Sequence, residues 1–218
     1  YGAASPPSVS SVDVDAFFSS FPVLRGKAIF LFLGRLHPKK GVDLLIQSFA
    51  SIAREDSSRH LVLAGPIHCK YQRELLSLIR ALSLESQITW TGPLTGSMKW
   101  AAFSTAQLFC LPSHQENFGV AVAEALSVGL PVCISHAVNI SDLVERFGAG
   151  IVHTDTLDGT IDALSRWVSI EPASRVLMSR SAKHLFSSQF DWELASERLA
   201  ELLIRSRSSD KAPIISHS

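Results

Sequence analysis

Six short apolar segments, separated by stretches of helical periodicity, constrain the fold of this 218-residue chain more than any other feature. Each segment is rich in Val, Ile, Leu and Phe and ends in Gly, Pro or a polar residue. Continuous apolar strands are typical of parallel sheets that helices cover on both faces. The pattern therefore predicts an α/β fold with a doubly wound parallel sheet of about six strands. The predicted strands are Ala28–Leu33, His60–Ala64, Gln87–Thr91, Gln107–Leu111, Pro131–Ile134 and Gly150–His153.

Beyond the last predicted strand the periodicity is purely helical. It predicts three C-terminal helices, at Leu157–Val168, Pro172–Phe186 and Asp191–Arg205. We interpret Trp192 as a core anchor for the third of these helices.

The chain divides into three predicted regions. Residues 1–22 are predicted to be the remnant of a linker, residues 23–206 one Rossmann-like domain, and residues 207–218 a flexible tail. The chain begins with Tyr1 in a segment rich in Pro and Ser, so we expect it to be a piece of a longer protein.

Charge and cysteine content exclude several classes of protein. Twenty basic and twenty acidic residues give a net charge of zero, so we expect no nucleic-acid partner. The three cysteines are far apart and lack CxxC spacing, which argues against a disulfide scaffold or a zinc site and favours a reducing, cytoplasmic location. No apolar run is long enough to span a membrane. GxGxxG and Walker A motifs are absent from the sequence, which removes the usual signals for NAD and for ATP.

The loop after the first predicted strand carries two cations. Gly34 at the strand end permits close approach of a ligand, and Arg35 and Lys40 follow on one short loop. Ligands of open α/β sheets bind beyond the carboxyl ends of the strands, and a diphosphate needs a cationic clamp of this kind. The alternative is that both cations are ordinary surface residues beside the start of a helix.

The loop after the fourth predicted strand leads into a segment, Phe118–Val128, that is apolar on nearly all sides and is predicted to be a buried helix. Glu124 inside it must face a polar cavity, a partner or a ligand, or else be a structural carboxylate. Glu116 precedes the helix, and the amides of Gly119 and Val120 lie between the two carboxylates. The arrangement suits a ligand with a hydroxyl-rich group at each end and an anion in the middle, as in a nucleotide sugar.

These residues match a known pattern. ENFGVAVAEAL at 116–126 resembles the Glu, seven residues, Glu motif of retaining glycosyltransferases of the group 1 family. GLPV at 129–132 resembles the family's Gly-x-Pro-Val segment, and the residues from Gly34 to Gly41 are similar to its Gly-Arg-Leu…Lys-Gly motif. Val12-Asp13 resembles the end of the segment that leads into the family's donor domain.

The resemblance implies one half of a GT-B architecture, which binds a nucleotide diphosphate sugar as its substrate and needs neither a metal nor another cofactor. It implies catalytic roles for Arg35 and Lys40, on the diphosphate, and for Glu116, on the transferred sugar. The predicted donor-binding residues are Gly34, Leu94, His114, Asn117, Phe118, Gly119, Val120 and Glu124.

The N-terminal domain that recognises the acceptor in this family has no counterpart in the chain, so we expect the chain alone to be inactive. Peripheral membrane contact through that domain is compatible with the sequence. At 136–139 the chain has His-Ala-Val-Asn where many members have a Gly-Gly pair, which puts backbone contacts to the sugar in doubt. Two alternatives stay open: a non-catalytic nucleotide-sugar-binding module, and a sugar phosphorylase or epimerase of the same architecture.

Overall fold

The computed structural model describes residue 3 and residues 5–192. Its six strands form one parallel sheet in the order β3-β2-β1-β4-β5-β6, which confirms the predicted doubly wound α/β fold. Each predicted strand lies within one residue of the observed bounds at either end. The strands are β1 Ala28–Leu33, β2 Arg59–Ala64, β3 Ile88–Gly92, β4 Leu108–Leu111, β5 Val132–Ser135 and β6 Gly150–His153.

Eight α-helices connect or flank the strands among the described residues. They are α1 Ser11–Ser20, α2 Val42–Ala53, α3 Cys69–Ala81, α4 Gly96–Thr105, α5 Val120–Ser127, α6 Ser141–Phe147, α7 Leu157–Ser169 and α8 Pro172–Leu185. The first two predicted C-terminal helices correspond to α7 and α8, and a π-helical turn, Phe186–Phe190, follows α8.

The core follows from the sequence pattern. Ile29, Phe30, Leu31 and Phe32 of β1 alternate between the two faces of the sheet and are all fully buried, so helices cover both faces. Phe30 contacts Phe49 of α2 edge to face, with ring centroids 5.6 Å apart. Burial of each such side chain stabilises the fold by about 1.5–3 kcal/mol.

Part of the segment predicted as a linker forms α1, which packs against α4. Ser10 and Asp13 form a capping box at its start, and these hydrogen bonds lower the pKa of Asp13. Phe17 on this helix is completely buried, so α1 contributes to the domain core.

The interpretation of Trp192 as a core anchor is wrong, since 62% of this residue is exposed. Residues 193–205 of the third predicted C-terminal helix, and the predicted tail at 207–218, lie outside the described residues.

Candidate functional site

The loops after β1 and β4 are hydrogen-bonded to each other and closely packed at the carboxyl edge of the sheet. The Ser113 hydroxyl and the His114 amide both donate to the carbonyl oxygen of Lys39, each over 2.9 Å. Gly41 has a φ of +65°, and a Cβ added to it would lie 2.1 Å from the carbonyl oxygen of Pro112. Only glycine allows this approach, so the cationic loop is held tightly against the loop that carries Glu116.

The loop after β5 holds the backbone of Glu116 from the other side. The Glu116 amide donates to the carbonyl oxygen of Ala137 over 3.0 Å, and the Asn139 amide donates to that of Glu116 over 3.1 Å. The residues that replace the family's Gly-Gly pair thus form a backbone bridge to the loop of Glu116.

The ammonium of Lys40 pairs directly with the carboxylate of Glu116, and each side chain is 20% exposed. The motifs predict that Lys40 binds a diphosphate and that Glu116 binds a sugar, and the structure brings the two side chains together. Arg35 on the same loop is exposed and has no ion-pair partner among the described residues, so its charge is available to a ligand.

Helix α5 begins at Val120, two residues later than predicted, because Gly119 takes a left-handed conformation with φ of +74° and serves as the N-cap. No side chain caps this helix. Within the described part of the chain, the amides of Gly119 and Val120 find no hydrogen-bond acceptor. Two amide donors and the positive end of the helix dipole therefore remain available to an anion.

The residues before this N-cap differ in their surroundings. Asn117 is exposed, whereas the ring of Phe118 packs edge to face on Phe190, with ring centroids 5.6 Å apart. The structure thus gives Phe118 a packing role at the junction of α5 with the turn after α8.

Glu124 is paired with a residue that the sequence analysis missed. The ammonium of Lys99, from α4, lies 2.7 Å from Oε1 of Glu124 and also sits over the ring of Trp100, 4.7 Å from its centroid. The connection between β3 and α4 carries Leu94, which is half-buried against the core. Lys99 is a lysine within a partly apolar helix, and nothing in its local sequence indicates a partner 25 residues away.

His114 lies close to the end of β6. Its Nδ1 is 2.9 Å from a carboxylate oxygen of Asp155, and this hydrogen bond lowers the pKa of Asp155. Burial lowers the pKa of the neighbouring His153, whose Nδ1 contacts the carbonyl oxygen of Thr154 over 2.7 Å. The pair of His114 and Asp155 joins the β4 and β6 ends of the candidate site.

The described residues contain no cluster of three or more His, Cys, Asp or Glu side chains arranged to hold a metal ion. Across the same residues, no helix has both the length and the apolar character needed to cross a membrane.

The chain is similar in sequence to known glycosyltransferases. Over 182 residues the chain is 27% identical to a D-inositol 3-phosphate glycosyltransferase of Saccharomonospora viridis, an alignment that covers 80% of the chain and 42% of that enzyme. The chain therefore spans less than half the length of this curated relative.

Solved structures share the fold. Anabaena HepE in complex with UDP and glucose superposes with a TM-score of 0.77 at 22% identity, covering 89% of the chain and 52% of HepE. The C-terminal domain of a group 1 glycosyl transferase from Francisella tularensis superposes with a TM-score of 0.74 at 16% identity, covering 88% of the chain and all of that domain. The fold is thus one half of a GT-B architecture.

The sequence pattern of the family described as "Glycosyl transferases group 1" matches residues 13–185, which include every predicted site residue. The resemblance inferred from the motifs is confirmed, and the chain belongs to the group 1 glycosyltransferase family.

Proposed function

We propose that this chain is the donor-binding half of a retaining glycosyltransferase, which transfers a sugar from a nucleotide diphosphate sugar to an acceptor. The observation that carries the proposal is the grouping of Lys40, Glu116 and the uncapped start of α5 at one edge of the sheet. This grouping offers a cation, a carboxylate and two amide donors to one ligand.

Each part of the donor has a candidate partner. Arg35 and Lys40 would neutralise the diphosphate and stabilise the leaving group, without a metal ion, while the amides of Gly119 and Val120 bind its oxygens. Close approach of the diphosphate at Gly34 needs a backbone without a side chain. Glu124 would accept hydrogen bonds from the ribose hydroxyls, because an ionised carboxylate is an acceptor only.

The sugar and the base have candidates of their own. Glu116 would bind hydroxyls of the transferred sugar, and His114 and Asn117, both exposed at the same loop, would contact it from the side. Leu94 lies in the connection where the base would stack, and Phe118 would support the loop through its ring contact with Phe190.

A donor that binds here must open the ion pair between Lys40 and Glu116. Lys40 is shared between Glu116 and the incoming diphosphate, so the diphosphate would turn the Lys40 ammonium from the carboxylate toward phosphate oxygens. Glu116 then has free lone pairs for the sugar hydroxyls. This exchange couples the diphosphate and the sugar in one binding event.

The relatives guide the choice of ligand and the expected activity. Anabaena HepE has been crystallised with UDP and with UDP-glucose, which makes UDP the first nucleotide to test. The chain covers about half of HepE, so we expect donor binding by the chain and transfer only together with an acceptor-binding domain.

Calorimetric titration with UDP, GDP and ADP, and then with their sugars, tests the proposal. We expect saturable binding of one nucleotide, weakened about tenfold or more by Arg35→Ala and by Glu124→Ala, since each removes a charged hydrogen-bonding partner. The control variants Arg54→Ala and Glu85→Ala change exposed residues at the opposite edge of the sheet. Both should bind the nucleotide as the unmodified chain does. Absence of binding for every nucleotide by a folded chain would contradict the proposal.

Transfer is measured separately, after an acceptor-binding domain has been added to the chain. Nucleotide binding without transfer in any such assembly would favour the non-catalytic binding module.

A further inference from the structure

A second cavity lies at the amino edge of the sheet, opposite the candidate donor site. It has a volume of about 720 Å³, within the size range of small-molecule sites. Gln107 and Pro131, which immediately precede β4 and β5, lie in its wall, and α8 forms one side. We refer to this space, between the starts of β4 and β5 and helices α4, α7 and α8, as the amino-edge cavity.

The floor of the amino-edge cavity is apolar. Phe103, Leu130 and Trp167 line it, and each of them is at least 96% buried as a residue. These three side chains are fixed in the core, and the apolar surface that a ligand can reach above them belongs to Val128, Pro172 and Val176, which also line the cavity and are partly or well exposed.

The rim of the cavity is cationic. Arg175, Arg180 and Lys183, on one face of α8, all line the cavity, and its lining includes no Asp or Glu. The whole chain has a net charge of zero, so this local excess of three positive charges is not a reflection of overall composition.

The three cations differ in how they are held. Arg175 donates to the carbonyl oxygens of Trp167, Val168 and Ile170 at the end of α7 and stacks over Trp167, with Cζ 4.8 Å from the ring centroid. The Arg180 guanidinium and the Lys183 ammonium belong to exposed residues and have no ion-pair or hydrogen-bond partner among the residues that the structure describes. Arg175 is thus a fixed part of the wall, and the other two charges are free to meet a ligand.

The wall that carries the cations is firmly positioned. The Ser179 hydroxyl donates to the carbonyl oxygen of Gly129 over 2.6 Å, and the aliphatic part of Lys183 lies directly over Gly129. This packing fixes α8 against the turn before β5 and sets Lys183 at the mouth of the cavity.

We propose that the amino-edge cavity binds an amphipathic organic anion, with its hydrocarbon body against Val128, Pro172 and Val176 and its phosphate or carboxylate group between Arg180 and Lys183. The accessible apolar lining and the unpaired cationic rim together favour a ligand that has both parts. The site is separate from the donor site and does not depend on the function proposed for it.

Octyl phosphate, used below its micelle-forming concentration, is the probe that tests this inference by calorimetry. We expect saturable one-to-one binding, with octanol and inorganic phosphate each bound at least about tenfold more weakly because each supplies only half of the interaction. Arg180→Gln/Lys183→Gln should weaken octyl phosphate binding by about tenfold or more. The matched control, Lys70→Gln/Arg73→Gln on exposed positions of α3, should bind like the unmodified chain.

Four outcomes would overturn the proposal. One is no saturable binding of octyl phosphate to a chain whose circular dichroism shows it to be folded. Another is equal loss of binding in both double variants. The third is binding to vesicles with anionic lipids but not to free octyl phosphate, which would indicate a membrane-facing surface instead. Competition by UDP would likewise place the octyl phosphate in the donor site, so UDP must leave its affinity unchanged.

Discussion

The ammonium of Lys99 lies 2.7 Å from a carboxylate oxygen of Glu124, and the two side chains are only 21% and 17% exposed. We expect Lys99→Met to lower the free energy of unfolding by about 1–2 kcal/mol, because it leaves a largely buried carboxylate without its cation. Urea unfolding followed by circular dichroism measures the change.

The double variant Lys99→Met/Glu124→Gln is the control for this pair. With both charges removed, most of the lost stability should return. If the double variant is as unstable as the sum of both single variants, the pair makes no coupled contribution and the interpretation is wrong.

Two left-handed glycines provide a matched test of the loop contact at Gly41. Gly41 and Gly148 have similar φ angles, +65° and +63°, but a Cβ on Gly148 would meet no atom within 4 Å. Gly148→Ala should therefore cost about 1 kcal/mol of stability for the backbone conformation alone. Gly41→Ala should cost at least about 2 kcal/mol more, since Pro112 must also move. Equal losses in urea unfolding would show that the Pro112 contact is unimportant.

The cysteines should differ sharply in reactivity. Cys110 and Cys133 are paired in register on β4 and β5, and burial raises the pKa of both thiols, that of Cys133 to about 12. Thiolate is the reactive species, so we expect Ellman's reagent to label only the exposed Cys69 in the native chain at about pH 8. All three thiols should react after unfolding. Rapid labelling of a native Cys69→Ser variant would contradict this expectation.

Stability should fall in mild acid because of His60. Burial, with a smaller contribution from Lys27, lowers the pKa of His60 from 6.5 to about 4. The unfolded chain therefore binds a proton between these values that the native chain does not bind. The free energy of unfolding should rise with pH from about 4 to about 6.5 and then level off, with a contribution of up to about 3 kcal/mol from this residue.

Urea unfolding at several pH values measures the slope, and His60→Gln provides the reference. Glutamine does not titrate in this range and can still reach the Thr89 hydroxyl, which lies 2.8 Å from Nε2 of His60. The slope should be shallower in the variant. An identical slope in both chains would assign the acid sensitivity to other groups.

The strands were predictable because both faces of the sheet are covered. A continuous apolar run such as Ala28–Leu33 then needs no information from distant residues to be recognised. The start of α5 could not be predicted from the sequence. The apolar pattern already begins at Phe118, whereas the left-handed backbone at Gly119 delays the first helical residue to Val120.

The candidate site was predictable in its residue types but not in its pairs. Short motifs identified Lys40 and Glu116 separately, yet the ion pair between them joins positions 76 residues apart. Lys99 was not predicted at all, since it belongs to no motif and only the tertiary fold brings it to Glu124. Such pairings depend on tertiary structure, which local patterns do not contain.

The position of β1 beside β4 has a consequence for how the chain folds. β1, β2 and β3 can pair as soon as the first 92 residues are available, but β4 must then be brought to β1 across a long closed loop. Contacts of this kind form late and slowly in parallel sheets. A chain interrupted before β4 would keep half of its sheet and neither carboxylate of the candidate site. A nucleotide that binds only the fully folded domain would therefore shift the folding equilibrium of newly made chains toward the native state by mass action.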